Sequence, residues 1–517
     1  MLNKILQPIK YYIKNYLDFI FFCLFILSIP FEKRHIFNLQ QSFLDGHFIE
    51  WKAYSIYLSD ILFILTIIFW LLRLFIIHFE KTKYNYTIKY QYLKSNYILV
   101  ILLAFTVCTA LSLLQSQIIS ISLYRFVKLL EGLLLFIYIY KTIQSFPKIF
   151  AIIYTFIFTA LIQSVIALYQ FFTQKSVGLF MLGEPIISPE VQNVAKIVVN
   201  GDKMVRAYGT TPHANVLGGF LFIAILLFIS LILIFSLLKP NDKIVPRGTI
   251  KNISEIKRVI TLFHVEQLPY LSKISHNTTL TVLFFAFIII CFAFVITFSY
   301  SAYLALLISP LIFIGLLSLL YKNKIYKLKK VLLKLFKYSN YNIIIIIGII
   351  MIAFITFIPE ITAKFINIES EDSYTISGRV EYIQSAIRAL IDNPEFGTGF
   401  GTFPLTFTNY LENSSNVFYW QLNPVHNVIL LIGAELGITC LLLFILLIGW
   451  VVARSTISLV KAGLVNFILL STFIMILLGV FVIMQLDHYF WTIQQGFLSF
   501  WLILGIIATL NTNIKRV

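Results

Sequence analysis

Asn342-Ile343-Ile344-Ile345-Ile346-Ile347-Gly348-Ile349-Ile350-Met351-Ile352-Ala353-Phe354-Ile355-Thr356-Phe357-Ile358-Pro359 contains no charged residue. In water such a β-branched run would favour a strand. Its length, however, is close to that needed to cross a bilayer as a helix, and inside lipid a helix satisfies every backbone group within its own segment. Isoleucine here is therefore read as helix. The same reading covers the chain, which is 59% hydrophobic and 12% charged, with a mean hydropathy of +0.89. That composition excludes a soluble domain of 517 residues and specifies an all-α polytopic membrane protein.

Working outward, apolar runs centre on residues 16–30, 56–77, 97–114, 121–140, 150–172, 216–237, 279–298, 302–320, 342–359, 427–452, 464–484 and 497–510. About twelve transmembrane helices are expected in one integral-membrane domain, 1–517. The first run lacks a small-residue cleavage site and reads as an anchor. Lys and Arg concentrate in one alternate set of connecting segments, so the positive-inside rule puts both termini in the cytoplasm. The basic residues, spread over many loops under a net charge of +17, form no patch that would imply a nucleic-acid partner. Cys23, Cys108, Cys291 and Cys440 all lie in apolar runs without paired spacing, which argues for buried thiols rather than disulfides or zinc.

This topology gives two long outer loops, 173–215 and 360–426, and a polar cytoplasmic insertion, 238–278. In the second loop Val380, Ile383, Ile387, Leu390 and Ile391 share one helical face. An interfacial amphipathic helix is expected there, capped by Ser377 and stopped by Asn393-Pro394. Arg379 would stand in its first turn, where a guanidinium beside free N–H groups suits a phosphate, and Arg388 on the wetter side. The first loop ends in Arg206-Ala207-Tyr208-Gly209-Thr210-Thr211-Pro212-His213-Ala214-Asn215, with an arginine where orientation alone disfavours one. His426 opens the tenth run at a depth where an imidazole can exchange protons, and His213, Asp487 and His488 share that face. Gly397-Thr398-Gly399-Phe400-Gly401 is a tight return segment, since no strand precedes it as a dinucleotide fingerprint requires. Gly433 and Gly437 suggest small-residue helix packing, and the intramembrane Glu435 invites pairing with Arg125 or Lys128. No metal-ligand spacing is present.

Three separated pieces resemble one family. Arg206 through Asn215, then Ser377-Gly378-Arg379 through Asn393-Pro394-Glu395-Phe396-Gly397-Thr398-Gly399, then Val425-His426-Asn427 with Glu435-Leu436-Gly437 look like the O-antigen ligase and O-antigen polymerase superfamily of the bacterial envelope. The resemblance implies a helical glycosyltransferase of the bacterial inner membrane, active at its outer face. It would take a glycan from undecaprenyl diphosphate, without metal or cofactor, to a glycan, lipid or protein acceptor. Carried over by position, Arg206 and Arg379 grip the diphosphate and His426 assists the acceptor hydroxyl, with Tyr208, His213, Asp487 and His488 as further substrate-binding candidates. One departure is Ser299-Tyr300-Ser301, where many members have an arginine between small residues. A polymerase of the same superfamily shares every feature. The rival from another class is a twelve-helix secondary transporter, against which stands the lack of any relation between the two halves.

Overall fold

The computed structural model describes residues 16–83, 97–237, 276–320, 325–371, 373–411 and 421–513. Every apolar run found in the sequence falls on a helix: α1 Leu17–Ser28, α2 Leu58–Lys83, α3 Tyr97–Ser112, α4 Ile119–Thr142, α5 Phe146–Thr173, α6 Ala214–Leu237, α7 His276–Val295, α8 Tyr300–Leu320 and α9 Ile325–Thr356. Two helices of the main loop follow, α10 Ile358–Glu371 and α11 Ser373–Asp392. The chain then closes with α12 Val428–Leu459, α13 Leu464–Met484 and α14 Gln494–Asn513. Among the described residues eight helices are long and apolar enough to cross a membrane, or nine if the pair bent by 60° between α9 and α10 counts as one. The bend falls at Phe357, just before Ile358-Pro359, where a proline disfavours a straight continuation. Helix α4 carries Arg125, Lys128, Glu131 and Lys141, so its place in the bundle rests on pairing as well as hydropathy.

This is a membrane protein built mainly of helices, consistent with the all-α class expected, and its loops add short strands that the sequence did not signal. Three small antiparallel strand pairs lie in the connecting loops: β1 Arg34–Ile36 with β4 Ser55–Tyr57, and two hairpins, β2 Phe43–Leu44 with β3 His47–Phe48 and β5 Lys196–Val199 with β6 Asp202–Val205. The last turns at Asn200-Gly201, both with positive φ, the geometry that matches strand twist. Such pairs are too short for a hydropathy pattern to register.

Helices α6, α13 and α14 form the buried centre, whereas α2 and α8 turn apolar side chains outward; Phe75 is 68% exposed. In lipid such a surface is solvated rather than stranded. One charge pair ties the first two helices together, the buried Asp18 on α1 meeting Arg73 of α2 at 2.9 Å. The four cysteines are free thiols, three of them buried. The insertion 238–278 lies almost entirely outside the described residues.

In the main loop α11 stops at Asp392, ahead of Asn393-Pro394 as the sequence predicts. It starts at Ser373, so Ser377 lies a turn inside and is not its cap, and Arg379 belongs to the second turn. That removes the free N–H groups from beside Arg379, because a helix leaves only its first few donors unpaired. Val380, Ile383, Ile387 and Ile391 are exposed, whereas Ser385, Ala386 and Ala389 are buried. The small side chains let α11 lie close against α12, with Leu390 in contact at Gly433.

After α11 the glycine segment docks onto an unwound turn of α12. Gly437 has φ 78° and ψ 175°, and the N–H of Ile438 turns to the Pro394 carbonyl at 2.8 Å. The carbonyls of Ala434 and Glu435 accept from Thr398 and Gly399 at 2.9 and 3.0 Å. Gly437 is thus a break that receives another backbone, which corrects the packing reading at Gly437, while Gly433 does face a neighbouring helix at Leu390. Glu435 is buried, and its Oε1 accepts the Phe403 N–H at 3.2 Å rather than pairing with Lys128.

Candidate active site

Two glutamines of α5 hold the Arg206–Asn215 turn. Gln163 Oε1 accepts the Thr210 N–H at 2.8 Å while its Nε2 donates to Thr210 Oγ1 at 2.8 Å. Gln170 Oε1 accepts from Tyr208 and Gly209, and its Nε2 donates to the Gly209 carbonyl and to Glu184. Buried amides of this kind must have their groups satisfied, and each satisfied group rigidifies the loop. Their spacing of two helical turns was visible in the sequence as polar residues recurring on one face of an apolar helix, a signal the sequence reading did not use.

The turn buries Arg206, which is only 6% exposed. Its Nε donates to the Thr297 carbonyl at 2.7 Å and its Nη2 to Asn215 Oδ1. Asn215 passes the connection on, its Nδ2 donating to Asp487 Oδ2 at 2.8 Å. Asp487 Oδ1 accepts the His488 N–H at 2.8 Å and faces His426 Nδ1 at 3.6 Å. His426 is placed by the next residue, since Asn427 caps α12 by accepting the Leu430 N–H. Arg206, Asn215, Asp487 and His426 therefore make one chain of contacts drawn from three loops. The His426 and His488 rings lie 5.0 Å apart.

Burial alone would raise the Asp487 carboxyl, but the facing His426 outweighs it and holds the group well below the usual carboxylate range. Burial lowers His213 to about 4 and His488 to about 3, with neighbouring cations acting in the same direction. The hydrogen bonds agree for His213, whose Nδ1 accepts the Asn215 N–H at 3.1 Å and so carries no proton. In all three groups the unfolded chain binds protons more readily than the folded one. Stability from the two histidines is present above about pH 6.5, the unfolded value, and is lost as pH falls toward 4 and then 3; Asp487 adds a loss below about pH 4. The thermal midpoint is expected to drop between pH 7 and pH 5, and His213→Gln to flatten that drop; a midpoint independent of pH contradicts the buried neutral rings.

These residues border a cavity of about 700 Å³. His213, Asn215, His426, Asp487 and His488 line one part of it, and Glu32, Glu50, Trp51 and Tyr57, from the segment between α1 and α2, another. Arg125 and Lys128 of α4 reach it from below, with Trp491 and Gln494. Of the residues singled out in the sequence, His213, His426, Asp487 and His488 line the cavity. Arg206 and Tyr208 stand behind it, the Tyr208 hydroxyl accepting the Ala195 N–H at 2.6 Å and its ring against His213. Arg379 is exposed on α11 and is not a wall residue; Arg388 donates to the Tyr410 carbonyl at 2.9 Å. The cavity's own cations, Arg125 and Lys128, enter the sequence reading only as partners for Glu435.

His426, Asp487 and His488 bring three metal-type ligand atoms within 4.8 Å of one another. Their lone pairs are partly committed, however. Both Asp487 oxygens accept N–H groups, and His488 Nδ1 is bonded to Thr492 Oγ1 at 2.6 Å. The set suits proton transfer better than a closed coordination shell.

With this geometry in view, residues 285–445 match the family model described as O-Antigen ligase. That segment is similar to the O-antigen ligase family's domain. This domain runs from α7 into α12 and contains His426, Arg379 and Glu435. Arg206, His213, Asn215, Asp487 and His488 lie outside it, so the matching segment supplies His426 and the flanking segments supply its partners. No curated protein compared with the chain matches it.

Proposed function

We propose that this protein is a membrane glycosyltransferase that moves a glycan from undecaprenyl diphosphate to an acceptor hydroxyl at the outer face of the bacterial inner membrane. In this topology twelve helices cross the membrane and both termini are cytoplasmic. The observation that carries the reading is His426 on the cavity wall, opposite Asp487, within a segment that matches the O-antigen ligase family. An ionised Asp487 favours the His426 tautomer with a proton on Nδ1, leaving Nε2 to accept one. The acceptor oxygen attacks the anomeric carbon, its proton passes to His426, and undecaprenyl diphosphate leaves with the bonding electrons. Asp487, Asn215 and Arg206 are positioning residues in this scheme, since the Arg206 guanidinium is committed to Asn215 and Thr297.

Purified protein in detergent with EDTA, supplied with glycan-loaded undecaprenyl diphosphate and an acceptor, is expected to form the glycosidic product. Absence of product with any surface-glycan acceptor, together with uptake of the lipid-linked glycan in vesicles, would move the reading to a transporter. Loss of the gene separates the two transferase classes: long unattached lipid-linked chains mark a ligase, and single unpolymerised repeats mark a polymerase.

Arg379 has a lesser place in this scheme. Exposed beside Val380 and Ile383, it would attract the anionic headgroup at the interface, where salt screens its charge. Arg379→Ala is expected to raise the apparent KM by less than about tenfold, an effect that shrinks in high salt. A collapse of kcat instead would return Arg379 to the reacting centre.

A further inference from the structure

Arg125 differs from the other cations near the cavity. Arg34 pairs with Glu50 and Glu32. Lys128 pairs with Asp60 and Glu131, while Gln494 Nε2 donates to Asp60 Oδ1. Arg206 is bonded to Asn215 and Thr297. Arg125 lies half-buried on the cavity wall, and its side-chain hydrogen bond among the described residues is from Nη1 to the Thr492 carbonyl at 2.9 Å. No carboxylate there pairs with it. Glu435 lies within reach of its field, but its Oε1 is taken by Phe403 N–H.

A guanidinium has five N–H donors, so most of those of Arg125 remain for a ligand. Its position is nonetheless held. The Trp51 and Tyr124 rings stand 5.9 and 5.8 Å from its central carbon, a cation–π distance. Gly401 of the docked glycine segment leaves the space its stem occupies, since a Cβ there would fall 2.4 Å from Arg125 Cγ. An unpaired cation at this depth is costly unless something compensates it, and a fixed, incompletely bonded guanidinium on a cavity wall is complementary to a planar-edged oxyanion.

We infer that Arg125 is the principal anion-binding residue of the cavity and takes the diphosphate of the polyprenyl donor, a role the sequence alone had given to Arg206 and Arg379. The inference rests on the donor reading above. It also places charge stabilisation where the leaving group develops it, on the same cavity as His426.

The test is binding of sugar-free undecaprenyl diphosphate to the full-length protein in detergent, measured for wild type, Arg125→Ala, Arg125→Lys and, as a matched charge removal on an exposed strand, Lys203→Ala. Arg125→Ala is expected to weaken binding at least tenfold, Arg125→Lys to give an intermediate loss, and Lys203→Ala none. The lysine variant, which keeps the charge, covers the case in which alanine compromises folding, read by melting and size exclusion. Wild-type affinity in both Arg125 variants overturns the inference alone. Equal displacement by excess phosphatidylglycerol also overturns it, because Arg125 would then read any anionic headgroup. A wild-type protein that binds no undecaprenyl diphosphate overturns the donor reading, and the inference with it.

Discussion

Alanine at His426 is expected to lower the rate of glycan transfer by about 10² to 10⁴-fold, the range over which a positioned general base contributes, while leaving undecaprenyl diphosphate binding within about threefold of wild type. In the proposed scheme the imidazole meets the acceptor rather than the diphosphate, so the loss should belong to kcat. His426→Gln keeps a hydrogen-bonding side chain of similar reach but cannot accept a proton at neutral pH, so it should be nearly as slow. Asp487→Asn gives a graded result. Asn keeps the volume but loses the negative charge that faces His426 at 3.6 Å and an oxygen that accepts an N–H, from either Asn215 or His488. A rate for His426→Ala within tenfold of wild type would remove His426 from proton transfer and leave electrostatic stabilisation of the leaving group as the main catalytic device.

A methyl group at Gly397 should be among the most damaging small changes in the described residues, costing about 3 kcal/mol or more of stability. Gly397 has φ 67°, a conformation that disfavours a side chain, and an added Cβ would lie 2.3 Å from the Glu435 carbonyl carbon. That atom is backbone and cannot rotate away. Relief would require parting the Thr398 and Gly399 hydrogen bonds to Ala434 and Glu435, which would expose two carbonyls already released by the break at Gly437. Since Gly401 in the same segment seats Arg125, the loss should extend to ligand binding. Thermal unfolding of Gly397→Ala against Gly449→Ala, where no atom lies within 4 Å, measures the difference; equal midpoints would show that the segment does not depend on close docking.

The same particulars show where reading the sequence stopped short. The stop of α11 at Asn393-Pro394 was legible because a local rule decides it, whereas Ser377 was taken for a cap although the helix runs a turn further back. Capping rules compete with the helix's own continuation, and Ser373 and Ser377 offer equivalent chemistry. Gly433 and Gly437 looked like one packing motif, but the first meets a leucine and the second another backbone. Spacing alone carries no information about which surface arrives. Arg206 stands out in the sequence because the expected topology disfavours an arginine there, and the structure holds it as a buried link behind Asn215 rather than as an open cation.

By itself the sequence determined the membrane class, the positions of the helices, the loop that carries His426 and the resemblance to the O-antigen ligase superfamily, later matched over residues 285–445. These depend on hydropathy, periodicity and short motifs, all of which act over a few turns of chain. Only the tertiary structure decided that Asn215, His426 and Asp487 meet, that Lys128 is neutralised by Asp60 and Glu131, and that Arg125 is left facing the cavity with donors to spare. Those facts depend on which loops converge once the helices pack. Charge pairing across 68 residues, from Asp60 to Lys128, leaves no mark on the local pattern of either segment.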